Sequence, residues 1–298
     1  MPVTDAELCA GVAAALGRPV GRLVRRPWAY ASTVPMEQLD GPGLPPLLFK
    51  DCTPRRRPSR PAFVDDPLRE IAAYRTLLEG LDAPACHGSV VDRDRAWLFL
   101  ERVDGIPLWE VQGLDAWLAT ARWLARLHTR PAPAEPHLLR HDARHLRRWA
   151  RRATSLGGGA DAVDGLAAAA EVAVERLAAW PATLVHGELY ASNVVVQPGP
   201  EGARIRVVDW EMAGVGPGVL DLAALVSGSW TPASRGRIVA AYREALPAAA
   251  HGFDEALEGA RLLVALQWLG WSSTWSPPVE HRHDWMQDVR ELVPRVLA

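Results

Sequence analysis

The chain has 298 residues, of which 49% are hydrophobic and 23% are charged. This composition is typical of a globular protein with a large buried core, and the length allows one large domain or two lobes. The formal net charge of −2 argues against a protein that holds nucleic acid or membranes through bulk charge.

In chain order, the first predicted elements are a helix and several extended segments. The helix spans 4–17 and ends at Gly17, and the extended segments lie within 20–50 around a hairpin-type turn at 40–43. The last of them is an apolar strand with Lys50 near its end. Lys50 is the only lysine among 33 Lys and Arg residues, which makes it a candidate functional residue.

A second predicted helix follows a polar, proline-broken loop at 55–61. Asp66 is suited to cap this helix and Gly80 to end it, and apolar residues recur between them at helical spacing. Two short strands are predicted next, near 85–91 and 96–101.

From about residue 106 the pattern becomes helix-rich. Apolar periodicity predicts three successive helices, at 114–128, 137–152 and 161–179. A dense block of three strands follows at 182–209, and the remainder, 219–298, is predicted to be helical with turns rich in Trp and Pro. This order predicts an α+β protein with a small mixed lobe, a linker and a larger, mostly helical lobe.

The cysteines and the N-terminus predict where the protein works. Cys9, Cys52 and Cys86 are three in number and widely spaced, which fits neither a disulfide framework nor a zinc site and favours a reducing compartment. The N-terminal segment has no basic start of a signal peptide, and no apolar run reaches about 18 residues. We therefore expect a cytoplasmic protein that binds neither membranes nor nucleic acid.

Polar side chains suited to a metal and phosphates lie at the ends of adjacent short strands. Glu188 follows the strand that ends near Val185, Asn193 comes five residues later, and Asp209 ends the strand over 205–208. Carboxylate and amide oxygens suit Mg²⁺, which takes one or two side chains together with phosphates and water. Another group must orient a hydroxyl for attack on phosphorus. The pattern therefore indicates a magnesium–phosphate site.

These motifs carry a family resemblance. With other pieces in the same order, they resemble the aminoglycoside phosphotransferase and choline kinase family over about residues 20–285. The matching pieces are Lys50, Glu70, Leu98–Gly105, Trp123–His128, His186–Asn193, Val208–Trp210 and Gly218–Ala223. The resemblance implies a two-lobed protein-kinase-like fold with an N-lobe at 1–101, a hinge at 102–106 and a C-lobe at 107–298.

The resemblance implies a role for each matching residue around ATP and Mg²⁺. Lys50 would hold the α and β phosphates, and Glu70 would orient Lys50. A lysine suits this place because it is a compact charge on a flexible stem, whereas a guanidinium is a wide planar fork. Asp209 would bind Mg²⁺, and Asn193 would supply a second metal contact.

The adenine end of the site is also implied by the resemblance. The backbone carbonyl of Glu101 and the backbone N–H of Val103 would pair with adenine. Ser32 would contact a phosphate from a loop over the nucleotide, although this loop lacks a glycine-rich signature.

Glu188 departs from the family pattern, which usually has Asp at this place. The resemblance assigns this residue to the acceptor hydroxyl, which it would orient or deprotonate. Glutamate is one methylene longer, so either the acceptor is held slightly farther away or the loop is displaced. Phosphoryl transfer depends mostly on positioning and electrostatics, so the change is compatible with catalysis.

The predicted reaction moves the γ-phosphoryl group of ATP to a hydroxyl of a small molecule. The acceptor would be a sugar, an aminoglycoside-like compound, a nucleoside or another natural product, because indole faces stack on sugar rings and cations. Residues with suitable side chains cluster near the C-terminus, although plain core packing explains each tryptophan equally well. They are Trp268, Trp271, Trp275, Trp285, Glu280, His281 and Asp284.

Two other functions fit the same sequence. The first is a peptide-directed kinase in a natural-product pathway, with the arginines of 140–152 and 55–57 docking an acidic peptide or protein. A solvated helix face and loop are the simpler interpretation of these arginines. The second is a non-catalytic nucleotide-binding partner protein. In all three cases His186 and Asp221 are interpreted as structural residues that hold the loop around Glu188.

Replacing Lys50 by arginine tests whether lysine is required at this position. Lys50→Arg should keep the charge and the fold but weaken ATP use strongly, because the planar fork does not fit where the ammonium fits. Steady-state kinetics with ATP, together with a thermal melt as the folding control, measure this. Undiminished activity would mean that the single lysine is a coincidence of composition.

Overall fold

The computed structural model describes residues 3–29, 34–54, 60–156, 159, 163–199, 202–246, 251–271 and 283–298. The predicted phosphate contact Ser32 lies outside the described residues. The same holds for other residues singled out from the sequence, namely Arg55–Arg57, Trp275, Glu280 and His281.

A five-stranded antiparallel sheet is built from the first hundred residues. Its strands are β1 (Val24–Pro27), β2 (Met36–Asp40), β3 (Leu47–Asp51), β4 (Cys86–Val91) and β5 (Ala96–Glu101), in the order β1-β2-β3-β5-β4. The central strand β3 is buried along its length and places Lys50 opposite Met36 and Leu98. Side chains alternate between the two faces of a strand, so Lys50 and Phe49 lie on opposite faces.

Helix α1 (Asp5–Leu16) covers one face of this sheet. Thr4 and Glu7 form a capping box at its start, and Gly17 ends it in the left-handed conformation, as the sequence predicts. Its Leu8 and Val12 pack in one cluster with apolar residues of β3 and β5. This face is therefore an apolar core, and Lys50 is left to the other face.

Helix α2 (Arg69–Thr76) lies toward the other face, and its predicted limits are wrong. The Asp66 carboxylate accepts a hydrogen bond from the Leu68 N–H, two residues on, and so forms a turn before the helix and not its cap. Gly80 adopts a positive φ in a later turn. The helix brings Glu70 beneath the central strand.

Two small sheets follow. Strands β6 (Ile106–Pro107), β9 (Val194–Gly199) and β10 (Gly202–Val207) pair in the order β10-β9-β6, and β7 (Leu139–Arg140), β8 (Ala182–Val185) and β11 (Gly214–Pro217) pair in the order β7-β11-β8. The predicted strand block at 182–209 is thus confirmed as β8, β9 and β10. The loops between these strands carry the polar residues singled out from the sequence.

Helices pack around the two small sheets. They are α3 (Asp115–His128), α4 (Ala143–Ser155), α5 (Leu166–Ala178), α6 (Val219–Leu225), α7 (Pro232–Glu244), α8 (Phe253–Trp271) and α9 (Trp285–Leu297). Helix α8 is central, because it packs against α4, α5, α6 and α9. None of the helices that the structure describes has the length and apolar character needed to cross a bilayer. The three cysteines are free thiols.

Two predicted helix starts are wrong. The helix predicted at 137–152 begins at Ala143, where Asp142 accepts a hydrogen bond from the His145 N–H, and the residues before it form β7 in parallel pairing with β11. The helix predicted at 161–179 begins at Leu166, after Gly165 at positive φ. Pairing with a distant strand leaves no local periodicity, and this is why the sequence did not reveal β7.

Shortening a core residue of α3 measures how much this helix contributes. Leu124 is fully buried whereas Arg122 on the same helix is exposed. Leu124→Ala should lower the free energy of unfolding by about 2–5 kcal/mol, because it leaves a cavity in the core. The matched control Arg122→Ala should stay within about 0.5 kcal/mol of the wild type in urea unfolding. Equal effects of the two changes would contradict the packing described.

Candidate active site

A cleft of about 1160 Å³ brings the predicted site residues together. Its walls come from β3, β5, the segment after β5, the loops that follow β8 and β10, and the two last helices. Seven of the predicted residues line it, namely Lys50, Glu70, Glu101, Val103, Glu188, Asn193 and Asp209. The structure thus brings together in one cleft the seven residues that the sequence predicts for one site.

Lys50 is shared by two carboxylates. Its Nζ lies 2.6 Å from Glu70 Oε2 and 2.6 Å from Asp209 Oδ1, and its side chain is only 3% exposed. Burial opposes its positive charge, but Asp209 and Glu70 outweigh this effect and hold the pKa of Lys50 well above its usual value. The lysine is therefore a permanently charged group fixed at the meeting point of β3, α2 and the loop after β10.

Asp209 and Glu70 respond to this lysine differently. Burial alone would raise the pKa of Asp209, but the Lys50 ammonium lowers it below its usual range. Burial raises the pKa of Glu70 to about 7. The positive charge of Lys50 offsets this rise only in part, and the negative charge of Asp209 adds to it. Asp209 is thus the fully ionised partner of the pair.

The backbone at Asp209 adopts a strained conformation. Its φ of 63° lies in the left-handed region that residues with a Cβ rarely occupy. Contacts of the preceding residue hold Asp209 in this conformation. The Val208 N–H donates to the Asn193 carbonyl at 2.9 Å, and the Val208 carbonyl contacts His186 Nε2 at 2.9 Å. Strain of this kind clusters at functional sites.

Asp221 anchors the loop that carries Glu188. Its two carboxylate oxygens accept hydrogen bonds from the backbone N–H groups of His186 at 2.7 Å and Gly187 at 2.8 Å. His128 lies 3.3 Å from the same carboxylate. The structural roles expected for His186 and Asp221 are therefore confirmed.

Gly187 is required by the close approach of two chain segments. Its φ is 85°, and a Cβ at this position would lie 2.4 Å from the Met212 carbonyl oxygen. Any larger residue would push the loop away from the segment after Asp209. The glycine thus fixes the spacing between the Glu188 loop and the Asp209 loop.

Glu188 lies half-buried in an acidic part of the cleft. Burial raises the pKa of its carboxyl to about 8, and the negative charges of Glu211 and Asp209 add to the effect. The amide of Gln267, on α8, donates to Glu188 Oε1 at 3.5 Å, and the amide of Asn193 donates to the Glu188 carbonyl at 2.9 Å. A carboxyl with a pKa near neutrality is suited to exchange a proton with a substrate.

The hinge segment is tied to the C-terminal half of the chain. The side chain of Glu101 pairs with the buried Arg206 of β10 at 2.5 Å and also accepts from the Ala85 N–H. The N–H of Arg102 donates to the Pro46 carbonyl at 3.0 Å. These contacts fix the backbone on which Glu101 and Val103 face the cleft.

Aromatic rings line another part of the cleft. Trp268 stacks on Trp285 with centroids 5.2 Å apart, and Tyr190 and His283 meet this pair edge-on. Trp271 also lines the cleft, and so do four tryptophans that the sequence did not single out for the site, namely Trp28, Trp109, Trp117 and Trp230. Asp284 is not among the described lining residues, because it caps α9 through the Gln287 N–H.

The sequence missed two charged residues of the cleft. Arg60, expected in a polar loop, has a side chain only 6% exposed and pairs with Glu211 at 2.9 Å. Glu211 stands two residues after Asp209, and this spacing was a signal that could have drawn attention to it. Nothing in the sequence pattern indicates that Arg60 is buried.

The donor set at Asp209 and Asn193 fits Mg²⁺. Because the Asn193 amide nitrogen donates to the Glu188 carbonyl, the amide oxygen is the atom that can face a metal. Among the described residues, no cluster of three or more His, Cys, Asp and Glu side chains forms a metal cage. Mg²⁺ is a hard cation that takes few protein ligands and otherwise binds phosphates and water.

The sequence profile of the phosphotransferase enzyme family matches residues 39–258. The chain belongs to this family. The match covers most of the chain and contains Lys50, Glu70, Glu188, Asn193 and Asp209, so the resemblance found in the sequence is confirmed at the level of the family. The family is one of enzymes that transfer phosphoryl groups. A search of curated proteins finds no match.

Solved structures of other phosphotransferases share the fold. A Plasmodium vivax ethanolamine kinase is 12% identical with a TM-score of 0.64, covering 93% of this chain and 82% of its own. A microcompartment-associated aminopropanol kinase is 22% identical with a TM-score of 0.61, covering 92% and 89%. A spectinomycin phosphotransferase, solved with ADP and spectinomycin, is 12% identical with a TM-score of 0.60, covering 100% and 99%. They confirm the two-lobed, protein-kinase-like α+β fold.

The arginines of α4 are partly engaged within the phosphotransferase fold itself. Arg147 forms an ion pair with Glu171, Arg152 donates to the Gly270 carbonyl, and Arg148 lies over the Phe63 ring. Several members of the predicted docking surface thus have partners inside the chain. An acidic partner at this helix stays a prediction, as do the lobe boundaries at 1–101, 102–106 and 107–298.

The raised pKa of the Glu188 carboxyl makes the stability of the ligand-free protein depend on pH. Its pKa is raised from 4.5 to about 8, so its contribution is fully present below pH 4.5 and is lost as the pH rises through 8. We expect Glu188→Gln to be more stable than the wild type by ~2 kcal/mol or more at pH 9, with little gain at pH 5. Urea unfolding at both pH values measures the difference.

The exposed Glu244 supplies the matched control for this measurement. Glu244→Gln should change the free energy of unfolding by less than about 0.5 kcal/mol. A gain for Glu188→Gln that is the same at pH 5 and pH 9 would contradict the raised pKa.

Proposed function

We propose that this phosphotransferase moves the γ-phosphoryl group of ATP to a hydroxyl of a small molecule, with Mg²⁺ bound at Asp209 and Asn193. The observation that carries the proposal is the cleft itself, where the Lys50–Glu70–Asp209 cluster and the Glu188 carboxyl line one cavity. A phosphate-binding cation and a proton acceptor are the two groups that this transfer needs from the protein.

The nucleotide end of the cleft lies between Lys50 and the hinge. Lys50 binds the α and β phosphates, and Glu70 holds its ammonium in place at 2.6 Å. Adenine pairs with the backbone of Glu101 and Val103, supported by apolar lining residues such as Leu48 and Leu100. ADP in the related spectinomycin phosphotransferase structure supports a nucleotide as the donor.

Asp209 and Asn193 would hold the metal, which would neutralise phosphate charge when bound. The strained backbone at Asp209 and its short contact with Lys50 keep its carboxylate ionised and in position. Asn193 is fixed by its bond to the Glu188 carbonyl, so it connects the metal site to the acceptor site.

Glu188 acts on the acceptor. The acceptor hydroxyl donates its proton to the Glu188 carboxylate as its oxygen bonds to the γ-phosphorus. The bond from that phosphorus to the bridging oxygen breaks, and ADP leaves with the electron pair. A base with a pKa of about 8 is well matched to proton transfer near neutral pH.

The acceptor lies against the aromatic part of the cleft. Indole faces stack on flat or ring-shaped molecules and on cations, and Trp268, Trp271 and Trp285 line the cavity beside the Glu188 region. A sugar, a nucleoside, an aminoglycoside-like compound or another ring-shaped natural product fits this lining. Because ATP is the donor, we place the reaction in the cytoplasm.

Two substitutions separate nucleotide binding from chemistry. Asp209→Ala should abolish Mg·ATP binding, while Glu188→Gln should bind Mg·ATP within a few-fold of the wild type and lose at least about a hundredfold in phosphoryl transfer. Calorimetry and slow ATP hydrolysis measure the two effects, and a screen of hydroxylated metabolites by mass spectrometry finds the acceptor. Glu244→Ala, at an exposed carboxylate that does not line the cleft, is the control.

The outcomes also separate the alternatives. Turnover that does not depend on Glu188 would mean that the catalytic assignment is wrong, and binding without any turnover would favour a non-catalytic partner protein. Charge reversal at Arg147 and Arg148 should affect activity only if a macromolecular substrate docks on α4.

A further inference from the structure

We propose that Arg60 is a second cation of the transfer site, whose guanidinium contacts the phosphoryl group while that group passes from ATP to the acceptor. The inference rests on the function proposed above, and it concerns a residue that enters the cleft from outside the family's matching motifs. Arg60 lines the same cavity as Lys50, Glu188 and Asp209.

The position of Arg60 is fixed by contacts on two sides. Its Nη1 lies 2.9 Å from Glu211 Oε2, and its Nη2 donates to the Val64 carbonyl at 3.2 Å. Asp221 and the glycine at 187 independently hold the Glu188 loop close to the segment that carries Glu211. The guanidinium is therefore held next to the place where donor and acceptor meet.

Arg60 retains hydrogen-bonding capacity in this position. Its side chain is only 6% exposed, yet its buried Nε finds no hydrogen-bond acceptor among the described residues, since Asp65 Oδ1 lies 3.6 Å away. A buried N–H without a partner costs free energy. Such a cost is repaid where an anionic ligand supplies the missing acceptor.

The charge balance of the cleft gives the second argument. Among the described lining residues the only Lys or Arg side chains are Lys50 and Arg60, whereas the carboxylates are Glu70, Glu101, Asp104, Glu188, Asp209 and Glu211. Lys50 is already shared between Glu70 and Asp209. Arg60 is paired with Glu211, but its Nε lacks a hydrogen-bond acceptor among the described residues. A phosphoryl group that carries negative charge between Asp209 and Glu188 therefore meets Arg60 as the second cation of the described lining.

The chemistry of a guanidinium suits this task. A planar fork binds two oxygens of a phosphoryl group at once, and an arginine supplied to this charge accelerates transfer strongly in other phosphotransfer enzymes. As the bond to the bridging oxygen breaks and the bond to the acceptor oxygen forms, Arg60 donates N–H groups to the transferring oxygens. It takes no proton and forms no covalent bond.

Arg60→Ala tests the assignment through two separate readouts. With water as the acceptor, single-turnover hydrolysis of ATP should slow by at least about tenfold, whereas the dissociation constant of Mg·ADP should change by less than about threefold. ADP lacks the transferred group, so a contact with that group cannot affect its binding. Lys50→Ala is the contrasting variant, because it should weaken Mg·ADP binding itself.

Chemical rescue distinguishes a direct contact from a structural ion pair. Guanidinium ion at about 20 mM should restore hydrolysis by Arg60→Ala at least several-fold, and it should not accelerate the wild type or Lys50→Ala. A planar cation that enters the vacated space can replace the lost contact with the phosphoryl group.

A second variant distinguishes the loss of a contact with the phosphoryl group from misfolding. Arg60→Ala removes a cationic partner of the Glu211 carboxylate, which destabilises the fold. The double variant Arg60→Met with Glu211→Gln removes both charges of this ion pair together, and it should show the same slow hydrolysis with Mg·ADP binding retained. Thermal melts of each variant with and without Mg·ADP report folding and binding together.

Each outcome either supports or overturns the role of Arg60. Unchanged hydrolysis in both variants, an equal loss of hydrolysis and Mg·ADP binding, or a rate that guanidinium does not raise would overturn the role of Arg60. A wild-type protein that neither binds Mg·ADP nor hydrolyses ATP would overturn the proposed function, and this inference with it.

Discussion

The buried ion cluster around Lys50 is the constraint on which the rest of the structure depends. Burying a charged group costs free energy unless the charge is paired. Here the Lys50 ammonium lies 2.6 Å from the carboxylate of Glu70 and 2.6 Å from that of Asp209. Its partners come from α2 and from a loop 159 residues away in the chain. The central strand, the helix beneath it and the strand pair that carries Asp209 must therefore meet at one point, and the cleft forms where they meet.

The same cluster leaves the cleft with an excess of negative charge. Burial and mutual repulsion raise the pKa of Glu70 to about 7 and that of Glu188 to about 8, while Lys50 keeps Asp209 ionised. Carboxyl groups whose pKa values are shifted in opposite directions are typical of sites that bind cations and move protons. This repulsion opposes folding, and the cation and phosphates that we propose for the site would relieve it.

Short motifs made much of this site predictable. Glu188, Asn193 and Asp209 lie close together in sequence at strand ends, and Lys50 was conspicuous as the only lysine, on a strand buried on both faces. Contacts without a local pattern were not predictable. β7 depends on pairing with β11, and the buried Arg60 pairs with Glu211, far along the chain. The sequence of a proline-broken loop holds no periodicity that would reveal such a contact.

The glutamate at position 188 has a structural consequence. Its extra methylene could be absorbed by displacing the loop or by moving the acceptor, and the loop is held by Asp221 and by the close approach of Gly187 to Met212. A displaced loop would lose two buried hydrogen bonds, which costs more than a shift of a bound small molecule. The longer side chain therefore extends toward α8, where Gln267 meets it. Because Trp271 lies one helical turn after Gln267, the helix that receives the carboxylate also forms the aromatic wall of the cleft, where we propose that the acceptor binds.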